Sequence, residues 1–347
     1  MPDNLEGEIT LEAVKARAVH GVVALTGRSF FLYLLSFVAT GFLWAFLDQS
    51  QFGVFAMVSA VVNFLAYFSD IGLAASLIQK KTKVTDEDLK TTFTVQQGLV
   101  ILLLLILFLS SPLIAKFYKL SQEGLYLLYA LGISLLLSSL KTIPSTLLER
   151  KLKFERLIFP QILENIAYDI VVVLAAWKGL GITSFTIAVL IRGLVGLVAI
   201  YLLQPWMPGF AFSKKSLKKL LRFGVPYQLN TLLATVKDDG LVIVLGGILG
   251  SAGMGFLSFA QKLGQMPLRF FMDNVLKVSF PAFSRMQDDK RQLERFVTRS
   301  IFFVCFLVFP SILGILIVAP LLLRVIPHYH KWIPALTALG FFAISAS

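Results

Sequence analysis

Long, uncharged apolar runs decide what this chain is able to fold into. Gly98–Ser110 and Ile301–Ala319 contain no acid or base. No helix facing water exposes such a run, whereas a helix crossing a bilayer needs about 20 consecutive apolar residues. Composition points the same way. The 347 residues are 57% hydrophobic and 15% charged, with a mean hydropathy of +0.80. A soluble domain carries about 45–50% apolar and about 25% charged residues.

Spans of the required length are predicted near 18–46, 51–73, 91–115, 124–148, 157–177, 182–204, 218–249, 254–280, 297–323 and 333–347. The expected fold class is therefore all-α, a polytopic membrane helix bundle. The connections between spans alternate in charge. One set holds Lys15, Arg17, the lysines at 80, 81, 83 and 90, and the bases of 150–156, 214–222 and 285–299. That set totals twenty bases, and the other holds only Lys116, Lys119, Lys178, Arg324 and Lys331. Basic loops stay in the cytoplasm, so the amino terminus is expected inside. One missed span would scramble this alternation. The first 17 residues mix acids with bases and lack the apolar core of a signal peptide, and they read as a cytosolic lead-in.

The net charge of +12 thus belongs to loop orientation, without the aromatic interleaving of a nucleic-acid module. No nucleic-acid partner is expected. Cys305 is the single cysteine, and His20, His328 and His330 are too scattered for a ligand set, so no metal or cofactor is expected. There is no phosphate-binding Gly-x-x-x-x-Gly-Lys-Ser/Thr loop. The short far-side connections leave no external domain for catalysis, so the chain is not expected to be an enzyme.

Some features recur 202–208 positions apart. Phe52-Gly53-Val54-Phe55 corresponds to Met254-Gly255-Phe256-Leu257, Asp86–Leu89 to Asp288–Leu293, and Pro112–Lys116 to Pro320–Arg324. Six spans separate the copies, so both have the same orientation, as in parallel repeats that rock around a central cavity. The expectation is two pseudo-twofold-related lobes, 1–205 and 206–347, joined by the basic loop Trp206–Lys219. The second lobe would be incomplete. Only 142 residues follow position 205, and the chain stops inside an apolar run. Truncation is the favoured reading over a naturally short protein.

Charges inside spans cost several kcal/mol each and should face the bundle interior or pair. The bases are Arg28, Lys141, Arg192, Lys237, Lys262, Arg269 and Lys277. All but Lys277, near a cytoplasmic end, are candidates for an anion-binding cavity. Arginine's planar fork suits phosphate oxygens. The acids Asp70, Glu164, Asp169, Asp238, Asp239 and Asp273 are candidates for a coupling ion, H+ or Na+. Lys237, Asp238 and Asp239 stand together and cannot all neutralise one another, which favours the seventh span. Arg269, Asp273 and Lys277 lie at spacings of four on one helix face.

Several segments resemble the polysaccharide flippases of the multidrug/oligosaccharidyl-lipid/polysaccharide exporter superfamily. They are Ser69-Asp70-Ile71-Gly72-Leu73 with Ile78-Gln79, Glu149-Arg150-Lys151-Leu152-Lys153-Phe154, Leu221-Arg222-Phe223-Gly224-Val225-Pro226, and the run from Phe280-Pro281 to Asp288-Asp289. The resemblance implies two six-helix lobes in a V that move an undecaprenyl-pyrophosphate-linked oligosaccharide across the bacterial inner membrane. Membrane lipid, the lipid-linked oligosaccharide, a polysaccharide polymerase and glycosyltransferases are the partners it implies. The family is usually longer, with twelve or more spans. The region after Asp239 departs from its usual spacing, which loosens any role for Asp238 or Asp239. Two other functions remain open on the residues alone: a cation-coupled multidrug exporter, and a membrane scaffold for a polysaccharide-assembly complex. The first wants an acidic cavity, and the second needs none.

Overall fold

The computed structural model describes residues 31–80, 82–286 and 290–346, without the side chains of 230, 273–290, 292–293 and 346. Among the described residues every regular element is a helix. In order they are α1 (Phe31–Phe46), α2 (Gln49–Tyr67), α3 (Leu73–Gln79), α4 (Asp86–Tyr118), α5 (Gln122–Arg150), α6 (Phe154–Trp177) and α7 (Thr183–Leu203). The helical run Lys214–Met286 breaks at Gly250, where φ is 67° and ψ −177°, a conformation that only glycine adopts without strain. It therefore divides into α8 (214–249) and α9 (251–286). Then come α10 (Lys290–Val325), a 3-10 turn at His330–Trp332, and α11 (Ala335–Ala346).

Seven of the described helical stretches are long and apolar enough to cross a membrane, and one of them, Thr231–Met272, contains both α8 and α9. Phe31–Phe46 and Ala335–Ser345 are shorter apolar helices. The ten expected spans fall on α1, α2 and α4–α11. The second ends earlier than the run of apolar residues suggests. Ile71 and Gly72 take left-handed conformations, so the chain turns and restarts as the short helix α3.

The bundle buries part of its apolar side chains and turns many others outward. Met57, Leu127, Leu128 and Val172 are fully buried, whereas Phe108, Leu109 and Leu113 point outward. An apolar exterior on this scale suits hydrocarbon, not water. Inside, Gln96 Nε2 donates to Thr142 Oγ1 (2.9 Å) and Gln97 Nε2 to Ser139 Oγ (3.1 Å), which ties α4 to α5. Helices in lipid gain little from apolar contact with one another and rely on such bonds and on close backbone approach.

The closest approach joins α2 to α9. A Cβ added at Gly53 would overlap the Ser251 carbonyl, and one at Gly255 would overlap the carbonyl of Gln49. Residues 49 and 53 stand in the same relation to 251 and 255 along the chain, 202 positions apart, and each contacts the other's counterpart. A contact in which i meets j and j meets i is the mark of a twofold axis.

At the lysine-rich end, backbone and side chains are knitted together. The Thr85 hydroxyl accepts from Asp88 N, and Asp88 Oδ2 accepts from Thr85 N at 2.9 Å, a reciprocal cap on α4. Asp88 also receives the Lys80 ammonium and the Ser216 hydroxyl, so the first turn of α8 is fastened to that of α4. The connection into α8 is held as well, because Ala211 N donates to Thr94 Oγ1 (3.1 Å) and Ser213 N to Thr91 Oγ1 (3.2 Å). Arg150 donates to the carbonyls of Leu77 (2.8 Å), Lys80 (2.7 Å) and Thr82 (2.9 Å), closing the end of α3.

Gly53→Leu or Gly255→Leu should cost at least about 1–3 kcal/mol, the range for overpacking. A thermal unfolding midpoint in detergent measures this. Gly98→Ala should not lower that midpoint, because its Cβ would meet nothing within 4 Å.

Candidate functional site

Between α1 and α9 lies a cavity of about 580 Å³. From α1 it is lined by Tyr33, Ser36 and Phe37, and from α9 by Gln261, Lys262, Gln265 and Arg269. Lys262 and Arg269 are seven residues apart, two helical turns, so both side chains fall on the face of α9 turned to α1. Lys262 Nζ donates to Thr40 Oγ1 at 2.6 Å, and Arg269 Nη2 to Gln265 Oε1 at 3.2 Å.

Behind α1 stands Asp169 of α6, a buried carboxylate that accepts from Ser36 Oγ at 3.2 Å. It lies in the fields of both Lys262 and Arg192. The Arg192 guanidinium is 5.7 Å from the centre of the Tyr168 ring, within cation–π range. Two bases, Lys262 and Arg192, therefore act on Asp169, and among the described residues Lys262 and Arg269 are the charged side chains that line the cavity.

A second hollow of about 670 Å³, almost wholly apolar, runs between α1, α9 and α10. It shares Phe37, Trp44, Leu263, Met266 and Phe270 with the basic cavity, so one wall separates a polar chamber from an oily one.

The end of the bundle where α1 finishes is shut by the turn between α10 and α11. Tyr329 Oη donates to Gly41 O (2.6 Å), Trp332 Nε1 to Trp44 O (2.8 Å) and Lys331 Nζ to Ala45 O (3.1 Å). Trp44 and Ala45 belong to the last turn of α1, whose carbonyls an isolated helix leaves without partners. Trp332 is fully buried, stacked on Phe259 at 4.9 Å and edge-on to Phe52 at 5.4 Å. Burial pushes the Tyr329 phenol above its ordinary pKa.

The family model described as "polysaccharide biosynthesis protein" matches residues 42–336. The chain belongs to the polysaccharide biosynthesis protein family. A relative, the succinoglycan biosynthesis transport protein ExoT of Rhizobium meliloti (strain 1021), is 25% identical over 312 residues. That match covers 90% of this chain and 62% of ExoT. The chain spans about six-tenths of the length of the curated relatives it matches. Among solved structures, the lipid II flippase MurJ in an inward closed conformation superimposes with a TM-score of 0.69 at 16% identity, over 93% of this chain and 74% of MurJ. An inward-facing multidrug resistance MATE transporter gives 0.68 at 16% identity, over 91% of this chain and 78% of that one. This family member is thus a multi-pass membrane protein with the helical fold of those transporters.

The other charged residues singled out in the sequence, where described, lie apart from this cavity. Lys141 of α5 and Glu164 of α6 form an ion pair at 2.6 Å, with side chains 19% and 12% exposed. Gly196 of α7 makes room for it, since a Cβ there would overlap Glu164 Oε2. Lys237 and Asp238 pair at 3.2 Å on an exposed face of α8, with Asp239 half-buried beside them. None of these three lines the basic cavity. Asp70 sits in the turn after α2 and accepts from Ala74 N at 3.2 Å; burial pushes its carboxyl above the usual range. Arg28, and the side chains of Asp273 and Lys277, lie outside the described residues. Ser36, Thr40, Gln265 and Tyr168 were not singled out in the sequence. Their signal was faint, a polar side chain within one or two turns of a charged residue's contact.

The Lys141–Glu164 pair separates structure from chemistry. Glu164→Leu alone strands a buried ammonium and should destabilise by about 3–5 kcal/mol. Lys141→Met with Glu164→Leu should recover most of that in a detergent unfolding assay.

Proposed function

We propose that this protein flips a lipid-linked oligosaccharide across the bacterial inner membrane for polysaccharide biosynthesis. The single observation that carries the reading is the basic cavity joined through one wall to an apolar hollow. A polyprenyl pyrophosphate has an anionic head and a long hydrocarbon tail, and each chamber suits one of them. Lys262, Arg269 and Arg192 are the bases for the pyrophosphate. Phe37, Leu263 and Met266 stand where head passes into tail. A relative that is a succinoglycan biosynthesis transport protein by name, ExoT, and a fold neighbour that is a lipid II flippase support the same class of cargo.

In this reading residues 1–205 and 206–347 are two lobes, and they rock about the α2–α9 crossing so that the cavity faces each side in turn. The lysine-rich loops are cytoplasmic, and the Trp332 turn closes the far side. Asp169, the acid nearest the gathered bases, is the candidate for a coupling H+ or Na+. No step of the reading calls for an enzyme. A drug exporter, the activity named for the MATE neighbour, would take cationic cargo, which Lys262 and Arg269 on the cavity wall disfavour. A scaffold would leave the joined chambers without use.

Hydrogen bonds to a charged group are worth about 1.5–3 kcal/mol, so losing one should weaken cargo binding about ten- to a hundredfold. Lys262→Met with Arg269→Met should therefore abolish surface polysaccharide in a strain lacking its own flippase, with lipid-linked precursor accumulating. Normal polysaccharide at normal expression would overturn the proposal. Orientation is tested in a Cys305→Ser background. Lys119→Cys and Lys178→Cys should be labelled by an impermeant maleimide in intact cells, and Lys151→Cys and Lys214→Cys only after lysis.

A further inference from the structure

The apolar hollow beside the basic cavity has a counterpart on the opposite flank of the bundle, a groove of about 720 Å³ between α2, α4 and α8. The two are related by the internal repeat. Val61, Phe64 and Leu65 line the groove, and the residues 202 positions on, Leu263, Met266 and Pro267, line the hollow. Ser110 and Ile114 line the groove, and 208 positions on, Val318 and Leu322 line the hollow. Ile243 of α8 and Gly41 of α1 complete the correspondence, again 202 apart. The pseudo-twofold relation thus duplicates an apolar slot on each side of the α2–α9 crossing.

The slots differ behind their inner walls. The hollow shares Phe37 and Met266 with the basic cavity on the other side of its wall. Among the described residues the groove has no such neighbouring chamber. Tyr118 Oη donates to Ile243 O at 3.0 Å, and Gly246 lies so close to Met57 and Tyr118 that a Cβ would collide with both. α8 is sealed onto the end of α4 there, so a molecule in the groove keeps its head at the surface.

At that surface stands Lys116, in the last turn of α4. The groove's other polar groups are already engaged, Ser110 Oγ with Ile106 O (2.7 Å) and Tyr118 with Ile243. Lys116 is exposed and has no ion-pair partner among the described residues. A lysine at a helix end is often only a snorkelling side chain stabilised by the helix dipole. Here it sits at the mouth of an apolar slot.

We infer that the α2–α4–α8 groove is a binding site for a membrane phospholipid with an anionic headgroup, its acyl chain in the slot and its phosphate on Lys116. The site is separate from the cargo cavity, and its occupant holds the α4–α8 seam as the two sides of the bundle move.

The test is made on the full protein in nanodiscs of mixed phosphatidylglycerol and phosphatidylethanolamine. Retained lipid is read by native mass spectrometry, and a phosphatidylglycerol with a photoreactive acyl chain maps the site. One lysine near an anionic headgroup gives about a fivefold preference, corresponding to about 1 kcal/mol. Phosphatidylglycerol should be retained preferentially and should label Leu113 and Phe117. Lys116→Ala should remove the preference. Ser110→Trp, on a lipid-facing surface where folding is not at risk, should fill the slot and remove the label. Val318→Trp in the counterpart hollow should leave the label in place. Equal retention of the two lipids, or labelling unchanged by Ser110→Trp, overturns the inference. Displacement of the label by an equal amount of polyprenyl phosphate also overturns it, because the groove would then belong to the cargo. None of these readouts involves transport, so the inference and the flippase reading fail separately.

Discussion

The contact between α2 and α9, made by glycines without side chains, is the constraint on which the arrangement depends. In hydrocarbon there is no hydrophobic gain in bringing two helices together, so association rests on how closely backbones approach. Gly53 against Ser251 and Gly255 against Gln49 bring them as near as two helices can come. Because the contact is reciprocal, residues of α2 meet the counterparts of one another 202 positions on in α9. The two apolar slots on opposite flanks follow from that one crossing.

Charge is the second constraint, and the bundle answers it in three different ways. Lys141 and Glu164 neutralise each other in a space left by Gly196. Lys237 and Asp238 stay on an exposed face. Lys262 and Arg192 act on the buried Asp169, and among the described residues Lys262 and Arg269 are the charged groups that border the cavity. The first arrangement is structural and costs stability when halved. The third ties α9 to α1 through Lys262 and Thr40 while leaving Lys262 and Arg269 on the cavity wall.

The helices were legible in the sequence because hydrocarbon demands length and apolarity, and runs such as Ile301–Ala319 satisfy nothing else. The glycines at 53 and 255 were legible as a repeat, yet nothing in the sequence says that they touch. Lys262 and Arg192 were legible as charges in apolar surroundings. Their neighbours were not, since Asp169 and Ser36 are 133 residues apart and meet only when α1 packs on α6. Lys141 and Glu164 stand 23 apart on different helices, a spacing with no local meaning. Arg150 was read as a loop charge and as part of a family-like segment, whereas it also donates to four carbonyls at and just after the end of α3. The early stop of α2 depends on left-handed backbone at Ile71, a residue type that gives no warning of it.

The turn that carries Tyr329, Lys331 and Trp332 donates its hydrogen bonds to carbonyls of α1, and the Trp44 side chain packs in the same apolar cluster as Trp332. Two of those carbonyls, Trp44 and Ala45, belong to the final turn, where the helix itself supplies no donor. The turn is therefore a cap lent to α1 by a residue 288 positions later in the chain, and the end of α1 keeps its partners only while the two stay docked.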